Sequence, residues 1–419
     1  MDRLDAFGAT ASLPGVQLRW TSAATQPAPA SGVAVFVGFL HTRAGASSGQ
    51  PVALALSRRE DYAAAAGSRA AGFLEHAVHG FFDNGGQRCW IVALPASAQD
   101  LGSAPALKSM LQDAFAPGGR MEDLDEPDLV CVPDAVWGPL GADAQAAHEV
   151  QQAVLAHCAR MNDRMALLDC LPRRAATASD PCARIPGPAG GAGHHAANGA
   201  RYWPWIVVRA AGAGSACVPP SGHIAGCFAR SDADRGRHRA PANLVLEGAL
   251  DIDEHPGNAD LCALAAHQVN GLAALPGRGV RILGARTLSD LPGWRHIGAR
   301  RVVLGLSRWA RLSLRDLVLE ASEPALWERL RQRVSAWCLQ RLQEGALQGD
   351  CAREAFYVKC DSETNTAARR EAGELVCEVG LATSVPAEFI VVSLVQAIER
   401  GSLDRGDTTP FPSSTPRRT

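Results

Sequence analysis

An alternation of short apolar runs with amphipathic segments governs what this chain can fold into. Val33 to Leu40 reads as a buried strand, and Phe73 to Asn84 as a helix whose apolar residues Phe73, Leu74, Ala77, Val78, Phe81 and Phe82 fall at helical spacing. Gly85-Gly86 ends that helix, and Cys89 to Leu94 reads as the next strand. Strand, helix, strand is the signature of a parallel crossover unit. The pattern repeats with a strand at Leu129 to Val132, a helix from Gln145 to Arg160 and a strand at Met165 to Cys170. The fold class is therefore α/β.

Between these elements lie segments of other character. Residues 1–32 are rich in Ala, Thr, Ser, Gly and Pro around one strand-like run, Val16-Gln17-Leu18-Arg19-Trp20, and read as an extended arm and linker. Residues 173–200 have no periodicity and read as a surface loop. A strand at Trp203 to Val208, an irregular Pro219-Pro220-Ser221-Gly222, a helix over Asp260 to Gly271 and a strand at Val280 to Leu283 come next. Beyond them the pattern shifts to α+β: a strand at Arg301 to Ser307, a long helix Pro324 to Glu344, and strands at Ala355 to Cys360, Glu374 to Leu381 and Glu388 to Val395. Residues 401–419 have the composition of a disordered tail. These shifts divide the chain into an arm (1–32), an N-terminal α/β part (33–100), a second α/β part (101–283), an α+β part ending in an arm strand (284–400) and a tail (401–419). There is no internal repeat.

Composition excludes several function classes. With 41 Lys+Arg against 43 Asp+Glu the net charge is −2, which argues against a protein built to bind nucleic acid. No apolar run of 18 or more residues occurs, so no membrane span is expected, and the N-terminus lacks the apolar core of a signal peptide. The 12 cysteines include no Cys-x-x-Cys and several sit in apolar runs, which suits buried thiols in a reducing cytoplasm.

A search for chemistry finds little. His76 and His79 share a helix face but lack the internal glutamate of a zincin, and His194-His195 with Cys182 is a cluster in a glycine-rich loop. Ser221 and His223 lie too close on one extended segment for nucleophile and base, and the Gly-x-Ser-x-Gly elbow is absent. Gly277-Arg278-Gly279 precedes a strand and reads as a tight turn, and Arg405-Gly406-Asp407 is a short match to an integrin-binding tripeptide. On the long helix, Arg329, Arg331, Arg333 and Arg341 interleave with Trp327, Leu330, Val334, Trp337 and Leu342. That is an amphipathic helix with wet cations or, more sharply, a cationic face for a protein partner.

Taken in order, several segments resemble the tail sheath proteins of contractile phages and related injection systems. They are Arg201 to Val208, Val218 to Gly226, Asp234-Arg235-Gly236 with Ala240 to Asn243, Gly277 to Val280 leading to Gly284-Ala285-Arg286-Thr287-Leu288, and Trp294 to Arg301. Gly345-Ala346-Leu347, Cys360 to Asn365 and Pro386 to Ile390 continue the series. Pro14-Gly15-Val16, Val33 to Gly38 and Phe81 to Cys89 extend it to the N-terminal third, whereas residues 100–200 align no motif.

The resemblance implies a subtilisin-like but non-catalytic α/β sheath domain, an α+β C-terminal sheath domain and extended N- and C-terminal arms. It implies a structural role without enzyme activity or cofactor: hexameric rings stacked around an inner tube, extended before firing and contracted after. Implied partners are other copies of the chain, the inner tube, and baseplate and terminator or cap proteins. Assembly is expected in the cytoplasm, before any release of the particle. The arm strands Val16, Gln17, Leu18, Arg19, Trp20 and Phe389, Ile390, Val391, Val392, Ser393 are the expected inter-subunit strands, joining neighbours by β-augmentation. Arg329, Arg333 and Arg341 are the expected inner-tube contact. The competing expectations are a terminal or baseplate-adjacent sheath paralogue and an active subtilisin-like hydrolase.

Overall fold

A computed structural model of the chain describes residues 30–41, 51–66, 71–172, 195–210, 214–314, 322–383 and 389–397. The strands are β1 (Ala34–His41), β2 (Val52–Leu56), β3 (Cys89–Ala96), β4 (Leu129–Cys131), β5 (Met165–Asp169), β6 (Gly199–Trp203), β7 (Ile206–Arg209), β8 (Ser215–Val218), β9 (Ala249–Ile252), β10 (Val269–Leu275), β11 (Gly279–Ile282), β12 (Phe356–Lys359), β13 (Glu374–Leu381) and β14 (Ile390–Ala397). Eight of them form one sheet in the order β11-β10-β6-β5-β4-β1-β3-β2. The six inner strands are parallel, and β11 and β2 close the two edges antiparallel. Strands from both sides of residue 100 thus share a single sheet, with β1, β3 and β2 together at one end and β4, β5, β6, β10 and β11 at the other.

β1 shows why the parallel core forms. All residues from Ala34 to Leu40 are buried, as expected of a strand covered on both faces. Val35, Val37 and Phe39 face the helices α2 (Ala104–Phe115) and α3 (Ala144–Met161). Ala34, Phe36 and Leu40 face α1 (Leu74–Asp83) and α4 (Ser221–Arg235), because successive side chains leave a strand on opposite sides. The last two helices approach closely: a Cβ on Gly222 would stand 2.3 Å from the Cα of Ala77. A small antiparallel sheet, β8-β7-β9, lies on the same side of the core.

The C-terminal unit is the antiparallel sheet β12-β13-β14 with one long helix on it. Counting the short helix Asn258–Ala266 as α5 and Ile297–Ser313 as α6, this helix is α7 (Pro324–Gln343). Its Leu326, Trp327, Leu330, Val334, Trp337 and Cys338 face inward at helical spacing. Helix α6 joins the units, with Val302, Val303 and Leu306 in the C-terminal core and Ile297 and Leu304 in the core of the large sheet.

Four local expectations are corrected. Arg301 to Ser307 is not a strand but the middle of α6; a short apolar run suits a buried helix as well as a strand, and only its length and its arginines at helical spacing decide. Trp203 to Val208 is two strands, because Pro204 has no N–H to continue the ladder; β6 stays in the large sheet while β7 belongs to the small one. Ser221 to His223 is not extended but forms the first turn of α4, which Pro219 and Pro220 precede. The helix placed over Asp260 to Gly271 ends at Ala266, and β10 starts at Val269, after Gln268 at a φ of 56°. The Gly277-Arg278-Gly279 turn connects β10 and β11, both glycines having positive φ.

Candidate functional site

Two regions carry the candidate site, and the first is the cluster of polar side chains around residues 31–33. There the Asp128 carboxylate accepts hydrogen bonds from the backbone N–H groups of Gly32 (3.2 Å) and Val33 (2.9 Å). Ser31 donates from its hydroxyl to Asp128 and to Asp232. Arg301 of α6 enters the same cluster, its Nη2 3.2 Å from Asp128 Oδ2 and its Nη1 on Asp232. Burial by itself would lower the pKa of Arg301, but Asp232 and then Asp128 turn the shift upward, so the cation is held firmly.

Around this cluster other arginines of α6 are also sunk. Arg300 donates to Asn198 and Asn162 and lies 4.8 Å over the Trp294 ring, with burial pushing its pKa down to about 10. Arg308 donates to the Pro127 carbonyl at 3.0 Å, and Arg311 pairs with Asp163, itself bonded to Arg164 at 2.8 Å. Sequence reasoning missed this set because arginine ordinarily reads as surface. The signal was there in Arg301 and Arg308, seven residues apart on one helix face.

The second region is the edge of the C-terminal sheet. Ile390 to Ser393 pair inside the chain with Leu381 to Glu378 of β13, and Phe389 lies just before the strand with its ring edge-on to Tyr357 at 5.3 Å. β14 is an edge strand, so among the described residues its outer side has no paired strand. Ladder parity shows which groups face out. The Ala382 N–H donates to the Ala355 carbonyl, so even-numbered residues of β13 turn to β12 and odd-numbered ones to β14. Through the β13 register, Ile390, Val392 and Leu394 bond inward, and the N–H and C=O groups of Val391, Ser393 and Val395 point outward. The expected N-terminal strand, Val16 to Trp20, lies outside the described residues, as do His194, Cys182 and Arg405-Gly406-Asp407.

The three candidate tube-contact arginines do not share one face. Arg329 and Arg333 are exposed and one turn apart, and Arg333 donates to the Ser313 carbonyl at 3.3 Å. Arg341 turns back onto its own chain, pairing with Glu344 at 2.7 Å and lying 5.4 Å over the Trp337 ring.

Ser221 and His223, two apart on α4, project to opposite sides of the helix. Asp169, at the end of β5, accepts from the backbone N–H of Ser221 at 2.9 Å, and burial raises its pKa to about 7. His223 instead packs against Gly80 of α1, where a Cβ would stand 2.2 Å from its Nδ1; burial lowers its pKa to about 4. Serine, histidine and carboxylate are therefore not brought into a relay. His79 lies 3.4 Å from an Arg59 nitrogen and edge-on to Tyr62. Among the described residues no group of three or more potential metal ligands occurs.

A family model described as the phage tail sheath protein central domain matches residues 121–288. Over that stretch the chain is similar to the tail sheath central domain. The matched segment begins well inside the stretch in which no sequence motif was legible. Solved sheath structures share the fold over nearly the whole chain. The anti-feeding prophage helical sheath in its contracted state is 25% identical, covering 91% of this chain and 99% of its own, with a TM-score of 0.66. The sheath of an extracellular contractile injection system, PVC, in its contracted state is 22% identical, covering 93% of this chain and 99% of its own, with a TM-score of 0.67. A chain of the anti-feeding prophage baseplate, 6-fold symmetrised, is 23% identical over 93% of this chain and 100% of its own, with a TM-score of 0.61. The curated proteins gave no match.

Proposed function

We propose that this chain is the structural subunit of a contractile sheath that stacks as hexameric rings around an inner tube and contracts to drive that tube through a target envelope. The observation that carries the reading is the agreement with the contracted helical sheath of the anti-feeding prophage over 91% of this chain and 99% of the other. Rings and open helices both arise from unlike surfaces meeting head to tail, according to whether the rotation closes. In this reading residues 101–283 contain a subtilisin-like fold without catalysis, residues 284–400 the C-terminal sheath domain, and residues 1–32 an arm. The outward edge of β14 accepts a strand from another copy, and Val16 to Trp20 is the strand offered. At about 0.5–1.5 kcal/mol net for each backbone hydrogen bond, one such strand contributes a few kcal/mol, and the polymer multiplies it.

The role involves no enzyme activity and no cofactor. The partners are further copies, an inner tube met through Arg329 and Arg333, a baseplate, and a terminator or cap. Assembly takes place in the cytoplasm and the finished particle acts outside it. The fold shared with a baseplate-associated chain favours a second reading, a specialised copy that sits at the end of the sheath and does not propagate. Negative-stain microscopy of the chain co-expressed with its inner tube separates the two. Long striated tubes are expected; single rings at one tube end mean the second reading, and a monomer that leaves the tube bare defeats both.

A further inference from the structure

The β12–β13 ladder brings two cysteines face to face. Lys359 is opposite Glu378, so one step further Cys360 stands opposite Cys377. Because Ala355 and Ala382 are a hydrogen-bonded pair, alternation makes 360 and 377 a non-hydrogen-bonded pair, the type in which Cα atoms come closest, at about 4.5 Å. That separation lies within the span a disulfide bridges, roughly 4.4–6.8 Å. Both side chains belong to the same buried cluster, Cys377 with no exposure and Cys360 with 6%.

The turn after Cys360 is fastened to keep it there. Asn365, almost fully buried, accepts from the Val376 N–H at 2.7 Å and donates to the Val376 carbonyl at 3.0 Å, and its amide also reaches Cys360 Sγ at 3.7 Å. The two thiols differ. Hydrogen bonding from Cys377, with a further bond from Asn365, lowers the pKa of Cys360 against the opposing effect of burial. The bond it gives to Cys360, together with burial, raises that of Cys377.

We infer that Cys360 and Cys377 are a redox-active pair that closes to a cross-strand disulfide on meeting a low-molecular-weight disulfide. The Cys360 thiolate attacks one sulfur of the small disulfide and expels the other as a thiolate, leaving a mixed disulfide on Cys360. Cys377 then attacks the Cys360 sulfur and expels the second small thiolate. The two protons of the protein thiols pass to the two leaving thiolates, so the protein pair is oxidised and one small disulfide becomes two thiols. Closure staples β12 to β13, in the sheet that ends in the open edge β14. The inference rests on the ladder within one chain and is independent of the assembly reading.

The test uses the full chain, purified reduced and incubated with oxidised glutathione or the smaller cystamine at pH 8. Remaining thiols are then alkylated in denaturant and mapped by peptide mass spectrometry. The expected result is a linked peptide pair containing Cys360 and Cys377, beside mixed disulfides on the exposed Cys217, Cys262 and Cys351, and full reversal by dithiothreitol. Cys377→Ser is expected to trap the mixed disulfide on Cys360, and Cys360→Ser to release no thiol from Cys377. Since either variant disturbs the core, the wild-type map decides. Full alkylation of Cys360 and Cys377 after both oxidants, or linkage of Cys360 to the neighbouring Cys338 instead, overturns the inference.

Discussion

Arg301 and Asp128, 173 positions apart in sequence, meet at 3.2 Å with side chains only 3% and 4% exposed. One places α6 and the other leads into β4, so this single pair ties the C-terminal unit to the centre of the large sheet. Removing the cation leaves Asp128 and Asp232 buried without their partner, a loss of about 3–5 kcal/mol. Arg301→Met is expected to lower stability by that amount in urea unfolding, and adding Asp232→Asn to recover part of it. An Arg301→Met protein as stable as the parent would show that the cluster contributes nothing.

Asp169 makes stability depend on pH. Its folded pKa of about 7 lies above the ordinary carboxylate value, so the folded state holds a proton that the unfolded chain has released. Its contribution is therefore fully present below about pH 4 and is lost as pH rises toward 7. Asp169→Asn, which keeps an acceptor for the Ser221 N–H, is expected to gain on the wild type by about 2 kcal/mol between pH 5 and pH 7. Parallel stability curves for the two proteins over that range would contradict it.

The contact between α1 and α4 leaves no space at Gly222. A methyl group there meets the Ala77 backbone, which cannot rotate away as a side chain would. Gly222→Ala is expected to cost on the order of 3 kcal/mol, read as a fall in the unfolding midpoint.

At the open edge, position parity separates assembly from folding. Ser393→Pro removes an outward N–H and leaves the bonds to β13 in place, since an edge strand accepts proline on its free side. It is expected to abolish sheath tubes with little change in monomer stability, whereas Val392→Pro, which breaks an inward bond, destabilises the monomer. Normal tubes from the Ser393→Pro chain would rule out strand addition at β14. Deleting residues 1–20 probes the matching donor and is expected to give the same folded, non-assembling monomer.

The arginines of α7 divide in the same way. Charge reversal at Arg329 and Arg333 is expected to weaken sheath-on-tube assembly, scored by microscopy, while Arg341→Glu acts on the monomer by setting two carboxylates together at Glu344. Undiminished assembly from the double reversal would remove α7 from the tube interface.

What could be read from residue order was whatever has a local cause. β1 was legible because it is a run of buried apolar residues, β13 because short apolar stretches flank a single Glu378 after Gly373, and α7 because its tryptophans and leucines recur at helical spacing. Helix α6 was not, since Arg-Val-Val-Leu-Gly-Leu carries neither a clean two-residue nor a clean 3.6-residue period. The in-chain pairing of Ile390 to Ser393 was illegible for another reason. A strand's composition states that it wants a partner and does not state which one. The Asp128–Asp232–Arg301 cluster is assembled from three distant segments; the spacing of Arg301 and Arg308 marks a shared helix face, but nothing local names the carboxylates that meet it.

The hydrogen bonds at Ser31, Gly32 and Val33 also bear on how the folded body would take a pull applied at residue 31. Tension arriving there reaches Asp128 and Asp232 before it reaches β1, and Arg301 passes it on to α6. What remains runs along β1, an inner strand with parallel neighbours on both sides. Force along that axis has to shear a whole row of hydrogen bonds together instead of peeling them one at a time. A load applied at residue 31 is thus shared between the buried cluster and an inner strand.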